Sequence, residues 1–172
     1  MNQLGYGADN RLKIKLTVRD LPYLRDPAVI LIDQLKEVFV DGDLETIDTV
    51  NWLPKILRRD YAVALTPAGS GSGSDPDQSL YLSYACGGEL NYNGYCSAAV
   101  DGLIERQSAE ADQAQRKRLI WDIEAKLAED GARAIIFYDR RATCWRPRVK
   151  GLTIMVNSIF NGARMEDVWL DK

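Results

Sequence analysis

The chain has 172 residues, of which 46% are hydrophobic and 27% charged, with a formal net charge of −3 and no histidine. This composition is typical of a globular protein that buries a core of its own. The acidic balance, with a pI near 5.1, argues against nucleic acid as a partner, because phosphate binding requires a clustered Lys/Arg surface.

The first half of the chain begins with a predicted strand and helix. Apolar and polar residues alternate over 12–18, which is the period of a strand with one wet face. Asp26 and Pro27 supply an N-cap and a first-turn proline for an amphipathic helix. We expect Gly42 to end the connection that follows, and 44–47 to form a second strand.

A second helix and a third strand complete this alternating pattern. Thr49 is predicted to cap a short helix with Pro54 in its first turn, where proline is tolerated. The compact apolar run 61–65 is of strand type. Strand, helix, strand, helix, strand is the order of a parallel α/β sheet. The Gly/Ser-rich stretch 67–77 follows a strand, where open α/β sheets bind their ligands.

The second half of the chain is predicted to be mainly helical. Ser97 is expected to cap one helix, and a longer helix runs over 112–130 with Gly131 as its C-cap. The apolar run 134–138 is predicted to be a buried strand, and 142–145 a strand that returns beside it through 139–141.

Two of the three cysteines, Cys86 and Cys96, flank a loop rich in glycine, asparagine and tyrosine. A disulfide across this loop would contribute about 2–4 kcal/mol and would indicate an oxidising compartment. The alternative is two reduced, buried thiols. Cys144 lies in an apolar run and is predicted to be a core thiol.

The glycines Gly69, Gly71 and Gly73 resemble a phosphate-binding loop only superficially. Such a loop requires Lys-Ser/Thr after its last glycine, and a dinucleotide fingerprint requires a third glycine one position later. Here Ser74 and Asp75 follow, so nucleotide binding is disfavoured.

The carboxylates Asp75 and Asp77 have two interpretations. They could act as a general acid and base or contribute to a cation site, or Asp75 could simply cap a helix ahead of Pro76. Without histidine, the commonest general base and metal ligand is missing, and scattered cysteines make no zinc set. A Ser/Cys–His nucleophile is therefore excluded, and an enzyme would have to rely on carboxylates alone. Our expectation is a binding protein without metal, cofactor or catalysis.

Aromatic residues near the loops are candidates for the walls of an organic-ligand pocket. Tyr92 and Tyr95 lie between the two cysteines, in a segment expected at the surface. Trp52 has helical spacing with Ile56, so it is either core or pocket wall. The chain's one basic concentration is interpreted as a solvated or docking face, comprising Arg133, Arg140, Arg141, Arg146, Arg148 and Lys150.

Several short phrases, in this order, resemble the C-terminal lobe of the family 5 extracellular solute-binding proteins, which serve ABC importers of peptides. They include the opening βαβαβ pattern, an Asp-Pro-Asp turn and a closing Val-Lys-Gly; their positions are 12–16, 47–52, 59–65, 75–77, 91–96, 111–112, 116–118, 127–130 and 149–152. Together they span nearly the whole chain.

The resemblance implies an α/β fold, one lobe of a type II periplasmic-binding-protein-like fold with a mixed sheet flanked by helices. Residues 1–172 would form a single domain, with 151–172 belonging to this lobe, to the hinge or to the other lobe. The expected partners are a peptide or small polar solute, the transmembrane subunits of an ABC permease and a missing N-terminal lobe. The resemblance also implies that the parent is periplasmic or extracellular. Because residues 1–5 show no signal segment, its signal would lie outside this chain.

The resemblance also implies a ligand site. Peptide binders of the family pair the ligand's ammonium group with an acidic residue three positions before the Asp-Pro turn, where this chain has Ser72. A serine cannot neutralise an ammonium group, so an opine, a sugar or another polar solute is as reasonable as a peptide. The expected ligand-binding residues are Ser70, Ser72, Ser74, Asp75, Tyr92 and Trp52.

Two rival functions remain open at this point. A carboxylate-dependent enzyme would use Asp75 and Asp77 and would raise the pKa of one of them. A docking lobe without its own ligand site would expose a large apolar patch.

Overall fold

The structure is a computed structural model that describes residues 1–67, 75–138, 142–154 and 165–171. The chain divides into two compact units, Met1–Ala68 and Gly69–Lys172. The single domain expected over 1–172 stays a prediction. Each helix among the described residues is too short or too polar to cross a membrane.

The first unit is built on a parallel sheet of three strands in the order β2-β1-β3. The strands are β1 (Leu12–Arg19), β2 (Val40–Ile47) and β3 (Val63–Leu65). The alternation over 12–18 correctly predicts β1, and the predicted parallel βαβαβ order is confirmed. β3 is shorter than the predicted 61–65 because only three of its residues pair with β1.

Helix α1 (Pro22–Leu35) begins earlier than the sequence indicates. Pro22 occupies the first turn, so the predicted start at Asp26 and Pro27 is wrong and Pro27 lies inside the helix. The upstream turn is stabilised because it buries Leu24 one turn before Ala28. Both side chains pack against the sheet. A 3-10 turn (Lys36–Val38) follows α1, and another (Asn2–Leu4) opens the chain.

Gly42 does not end a connection but lies inside β2. A Cβ atom at this position would come within 2.8 Å of Ile32 Cγ1 on α1. The glycine therefore lets the helix pack closely on the strand, and β2 starts four residues earlier than predicted.

Helix α2 (Thr49–Leu57) is capped by Asp48 rather than by Thr49. The Asp48 carboxylate accepts hydrogen bonds from the N–H groups of Val50 and Asn51, at 3.0 and 3.1 Å. An aspartate at this position satisfies two otherwise unpaired donors. The helix thus starts at Thr49, and Pro54 lies in its second turn instead of its first.

Both faces of the sheet are covered in the first unit. On one face Leu16 and Val18 pack against α1. Thr17 points the other way, is fully buried, and donates to Glu45 Oε2 at 2.7 Å; Lys55 of α2 reaches the same carboxylate at 3.4 Å. Since side chains alternate along a strand, α1 and α2 cover opposite faces, as in a doubly wound sheet.

The second unit is mainly helical, with α3 (Asp77–Tyr84), α4 (Ala98–Ala109) and α5 (Gln113–Glu129). Its core joins all three helices through Leu80, Ala85, Val100, Ile104, Ile123, Leu127 and Ala132. Gly131 has φ 61° after α5, so the predicted C-cap glycine is confirmed. A small antiparallel sheet pairs β4 (Val149–Lys150) with β5 (Trp169–Leu170).

The strands predicted over 134–138 and 142–145 are not formed. Instead Ile135 is 60% exposed and Tyr138 is 83% exposed. A strand needs a neighbour to satisfy its backbone groups, and no strand among the described residues pairs with either run. Cys144 is also exposed, so the predicted core thiol is wrong. The predicted connection 139–141, with Arg140 and Arg141, lies outside the described residues.

Candidate functional site

The first unit places a guanidinium at the carboxyl end of its central strand. The chain runs from β1 to β2 on one side and then crosses to β3 on the other, so the carboxyl end of β1 is the topological switch point where such sheets bind ligands. Arg19 is the last residue of β1.

Arg19 uses only some of its hydrogen-bond donors in contacts with the described residues. Its Nη2 donates to the Tyr23 hydroxyl at 3.0 Å, whereas its Nε is buried without a hydrogen-bond partner among the described residues. Buried donors are nearly always paired, and a guanidinium recognises carboxylates with particular geometry. The sequence analysis missed Arg19; its place at the end of an alternating strand was the available signal.

Trp52 is buried, with 7% of its surface exposed. It lies on α2 with Ile56, which is fully buried one turn later. Trp52 is therefore a core residue of the first unit, the first of its two interpretations, and offers little surface to a ligand.

Asp75 lies at the start of α3 in the second unit and is held by a bidentate ion pair. Arg116 Nη1 donates to Asp75 Oδ2 at 2.7 Å and Nη2 to Oδ1 at 2.6 Å. The N–H of Asp77 also donates to Asp75 Oδ1, at 2.9 Å. The hydrogen bonds from Arg116, then the one from the Asp77 N–H, lower the pKa of Asp75 to about 2.

Gln107 links this pair to Asp77. Gln107 is fully buried on α4 and its Nε2 donates to Asp77 Oδ1. Arg116 Nε in turn donates to the Gln107 backbone oxygen at 3.1 Å and to its Oε1 at 3.2 Å. Asp75, Asp77, Gln107 and Arg116 thus form a closed ring, which we call the anchor ring.

The anchor ring bears on the carboxylate-enzyme hypothesis. That hypothesis requires a raised pKa on one of the two carboxylates, but the pKa of Asp75 is lowered by Arg116. An ionised carboxylate already bonded by a guanidinium is a poor general acid. The N-cap of α3 is Pro76, one residue later than predicted, and Asp75 Oδ1 accepts from the N–H of Asp77, the first helical residue. The geometry therefore favours a structural role for Asp75 at the helix start over acid–base chemistry.

A disulfide joins Cys86 and Cys96 in the second unit. Polar contacts also hold the loop between them: Asn91 is buried and donates to the Ala85 and Tyr95 carbonyls, and Asn93 donates to the carbonyl of Ala132. The enclosed loop is therefore bonded to the rest of the second unit along its length.

The aromatic candidates of this loop differ in their roles. The Tyr95 hydroxyl donates to Asp130 Oδ2 at 2.6 Å, and burial, followed by this bond, raises the pKa of Tyr95. Tyr95 is thus committed to an internal contact. Tyr92 is half-buried and remains the aromatic candidate for a ligand.

Not all predicted site residues can be located. Asp75 and Tyr92 belong to the second unit and Trp52 to the first, whereas Ser70, Ser72 and Ser74 lie outside the described residues. Among the residues that the structure describes, no group of three His, Cys, Asp or Glu side chains is placed to hold a metal ion.

The doubly wound βαβαβ unit and its helical companion define an α/β protein. No protein-family model and no curated protein matches the sequence, but solved structures match the fold. OppA of Haemophilus influenzae in complex with RPPGFSPFR has a TM-score of 0.81 at 17% identity, covering 99% of this chain and 33% of that one. The oligopeptide-binding protein AppA of Bacillus subtilis, in complex with a nonapeptide, has a TM-score of 0.78 at 18% identity over 96% of this chain and 33% of its own.

A structure solved with a nickel complex also matches this fold. NikA of Staphylococcus aureus, in complex with Ni(L-His)2, has a TM-score of 0.68 at 23% identity over 76% of this chain and 28% of its own. The chain therefore has the type II periplasmic-binding-protein-like fold seen in family 5 solute-binding proteins, and it spans about a third or less of each of these three structures.

Proposed function

We propose that this chain is one lobe of an exported solute-binding protein that captures a small polar solute for an ABC importer. The observation that carries the proposal is the match of 96–99% of the chain to a third of AppA, an oligopeptide-binding protein, and of OppA, which was solved with RPPGFSPFR. The remainder of such a protein would supply the other lobe. The disulfide between Cys86 and Cys96 supports export, because such bonds persist in oxidising compartments.

Capture would follow the hinge mechanism of two-lobed binders. The solute binds more tightly to the closed state and shifts the population toward it. The closed protein would then deliver the solute to the transmembrane subunits of a permease. Binding and release need no bond to be made or broken in the solute, so the lobe would act without catalysis.

Arg19 gives the proposal its chemistry. Arg19 lies at a topological switch point, and its guanidinium is the kind of group that recognises a carboxylate. We infer that the solute carries a carboxylate, as peptides and opines do. Hydroxyl groups of Ser70, Ser72 and Ser74 would bond neutral polar groups, and Tyr92 would supply an apolar wall.

The test is a thermal-shift screen of the full-length protein that carries this chain. The panel contains RPPGFSPFR, a dipeptide, a tripeptide, an opine, an oligosaccharide and Ni(L-His)2, and each peptide is also supplied with an amidated C-terminus. A bound solute must raise the melting temperature of the native state. We expect a shift with a carboxylate-bearing compound that falls on amidation.

Arg19→Gln should abolish that shift, because the amide keeps hydrogen-bonding capacity but loses the charge. Arg58→Gln is the matched control, since Arg58 is an exposed arginine of the same unit. Equal shifts for free and amidated peptides would exclude the carboxylate assignment while leaving solute capture intact.

A docking lobe is the second candidate function. It is favoured by the exposed apolar side chains Ile135, Ile136, Phe137 and Tyr138, which form the kind of surface that marks an interaction site. If no member of the panel shifts the melting temperature, this function replaces solute capture.

A further inference from the structure

The anchor ring joins helices α3, α4 and α5 through side chains whose hydrogen-bonding groups are mostly paired. Asp75 and Asp77 stand at the start of α3, Gln107 on α4 and Arg116 on α5. Gln107 is fully buried, so its side-chain amide would be costly to leave unpaired, and here it donates to Asp77 and accepts from Arg116. The ring therefore fixes the Asp75-Pro76-Asp77 turn relative to two helices.

Within the ring, Asp75 faces Arg116 with both carboxylate oxygens. Oδ1 accepts from Arg116 and from the Asp77 N–H, and Oδ2 accepts from Arg116. A bidentate pair of this kind sets orientation as well as charge. An ionised carboxylate engaged in this way has little capacity left for a solute.

We propose that Asp75 is a positioning residue, not a ligand-contacting one, and that Arg116 and Gln107 act with it to hold the Asp75-Pro76-Asp77 turn in place. This inference rests on the proposed function and deepens it. It reassigns Asp75 and adds two residues that the sequence analysis did not select.

The first test needs no solute and measures amide hydrogen exchange over residues 77–81 of the full-length protein. Arg116→Ala should raise exchange there by about tenfold, because the turn loses the bidentate hydrogen bonds from the Arg116 guanidinium. Exchange at Ile123 and Leu127 should change by less than about twofold. Arg116→Lys, which keeps the charge without the bidentate hydrogen bonds, should fall between. Arg118→Ala is the control: it removes an exposed arginine from the same helix. Unchanged exchange in Arg116→Ala overturns the proposal.

The second test is a double-mutant cycle on solute affinity, with RPPGFSPFR and Ni(L-His)2 as probes in isothermal titration. If Asp75 acts through Arg116, then Asp75→Ala and Arg116→Ala should each weaken binding by about tenfold, and the double variant by no more than either. Multiplying effects, about a hundredfold in the double variant, would mean that Asp75 touches the solute itself and would overturn the reassignment.

The two tests separate failure of the positioning role from failure of the proposed function. If neither probe binds the unmodified protein, solute capture fails for these compounds, and hydrogen exchange alone decides whether the anchor ring positions the turn. If a probe binds and the melting temperature falls in Arg116→Ala without any loss of affinity, the ring is only structural and the proposal is wrong.

Discussion

The two units of this chain hold their cores together by different means. In the first unit, the central strand β1 has hydrogen-bonded neighbours on both sides and buries Leu16, Thr17 and Val18 completely. In the second unit, the core lies between three helices, and a disulfide and polar contacts between side chains and backbone hold the loops. One unit thus depends on a backbone ladder, the other on side chains and a covalent link.

This difference explains why one apolar run forms a strand and a similar run does not. An apolar run in the first unit finds a neighbouring strand within the same unit, as 63–65 finds β1. The similar run 134–138 has no such sheet among the described residues of the second unit, and its side chains are exposed. Apolar composition indicates burial only where a partner is present.

Core truncations in the two units should give the largest effects. Leu16→Ala and Ile123→Ala each remove a fully buried side chain, and each should lower the free energy of unfolding by about 2–5 kcal/mol. Ile135→Ala removes an exposed side chain and should change it by less than about 0.5 kcal/mol. Urea denaturation followed by circular dichroism measures all three. A large loss of stability in Ile135→Ala would place 134–138 in a core and would contradict the difference between the two units.

Removal of the disulfide should lower the stability of the second unit and leave that of the first unit unchanged. Replacing both Cys86 and Cys96 by serine should cost the second unit about 2–4 kcal/mol, with hydrogen exchange of its core amides as the measurement. Amides of β1 should keep their protection, because the first unit contains no disulfide among its described residues. Equal losses in both units would show that they unfold as one cooperative body.

Sequence reasoning succeeded where local patterns decide the structure. The alternation over β1 and the glycine after α5 both follow from neighbours a few residues apart. It failed where two local signals competed: Asp26 and Pro27 resemble a helix start, but burial of Leu24 moved the start to Pro22. Propensity was overridden by packing.

The parts of the candidate site that sequence reasoning missed depend on distant contacts. Asp75 and Arg116 are 41 residues apart, and no periodicity links them. The partnerless Nε of Arg19 likewise depends on how neighbouring elements bury it. Such groups become visible only when the fold brings their surroundings together.

A smaller effect is expected at the start of α5. The Asp112 side chain accepts from the Gln115 N–H at 2.7 Å, so Asp112→Ala should lower the free energy of unfolding of the second unit by about 1 kcal/mol. Asp112→Asn keeps a capping acceptor and should cost less, which makes it the matched control. Thermal unfolding compares the two. If both variants cost the same, the charge near the helix terminus matters and the cap bond does not.

The smallest effect is a loss of stability at acid pH. It depends on the ion pair between Asp75 and Arg116 in the second unit. Arg116 lowers the pKa of Asp75 from its ordinary value of 3.8 to about 2 in the folded protein. A lowered pKa means that the pair stabilises the fold fully at neutral pH and that this contribution is lost as the pH falls from about 4 to about 2. Because Asp75 is more than half exposed, solvent screening keeps the contribution small.

NMR titration of the Asp75 carboxyl carbon tests this directly. In Arg116→Ala the pKa of Asp75 should rise toward 3.8, since the remaining bond from the Asp77 N–H is the weaker cause. In Arg118→Ala it should stay near 2. An unchanged pKa in Arg116→Ala would mean that the backbone turn alone holds the carboxylate, and the side-chain link between α3 and α5 would then contribute nothing that the backbone does not.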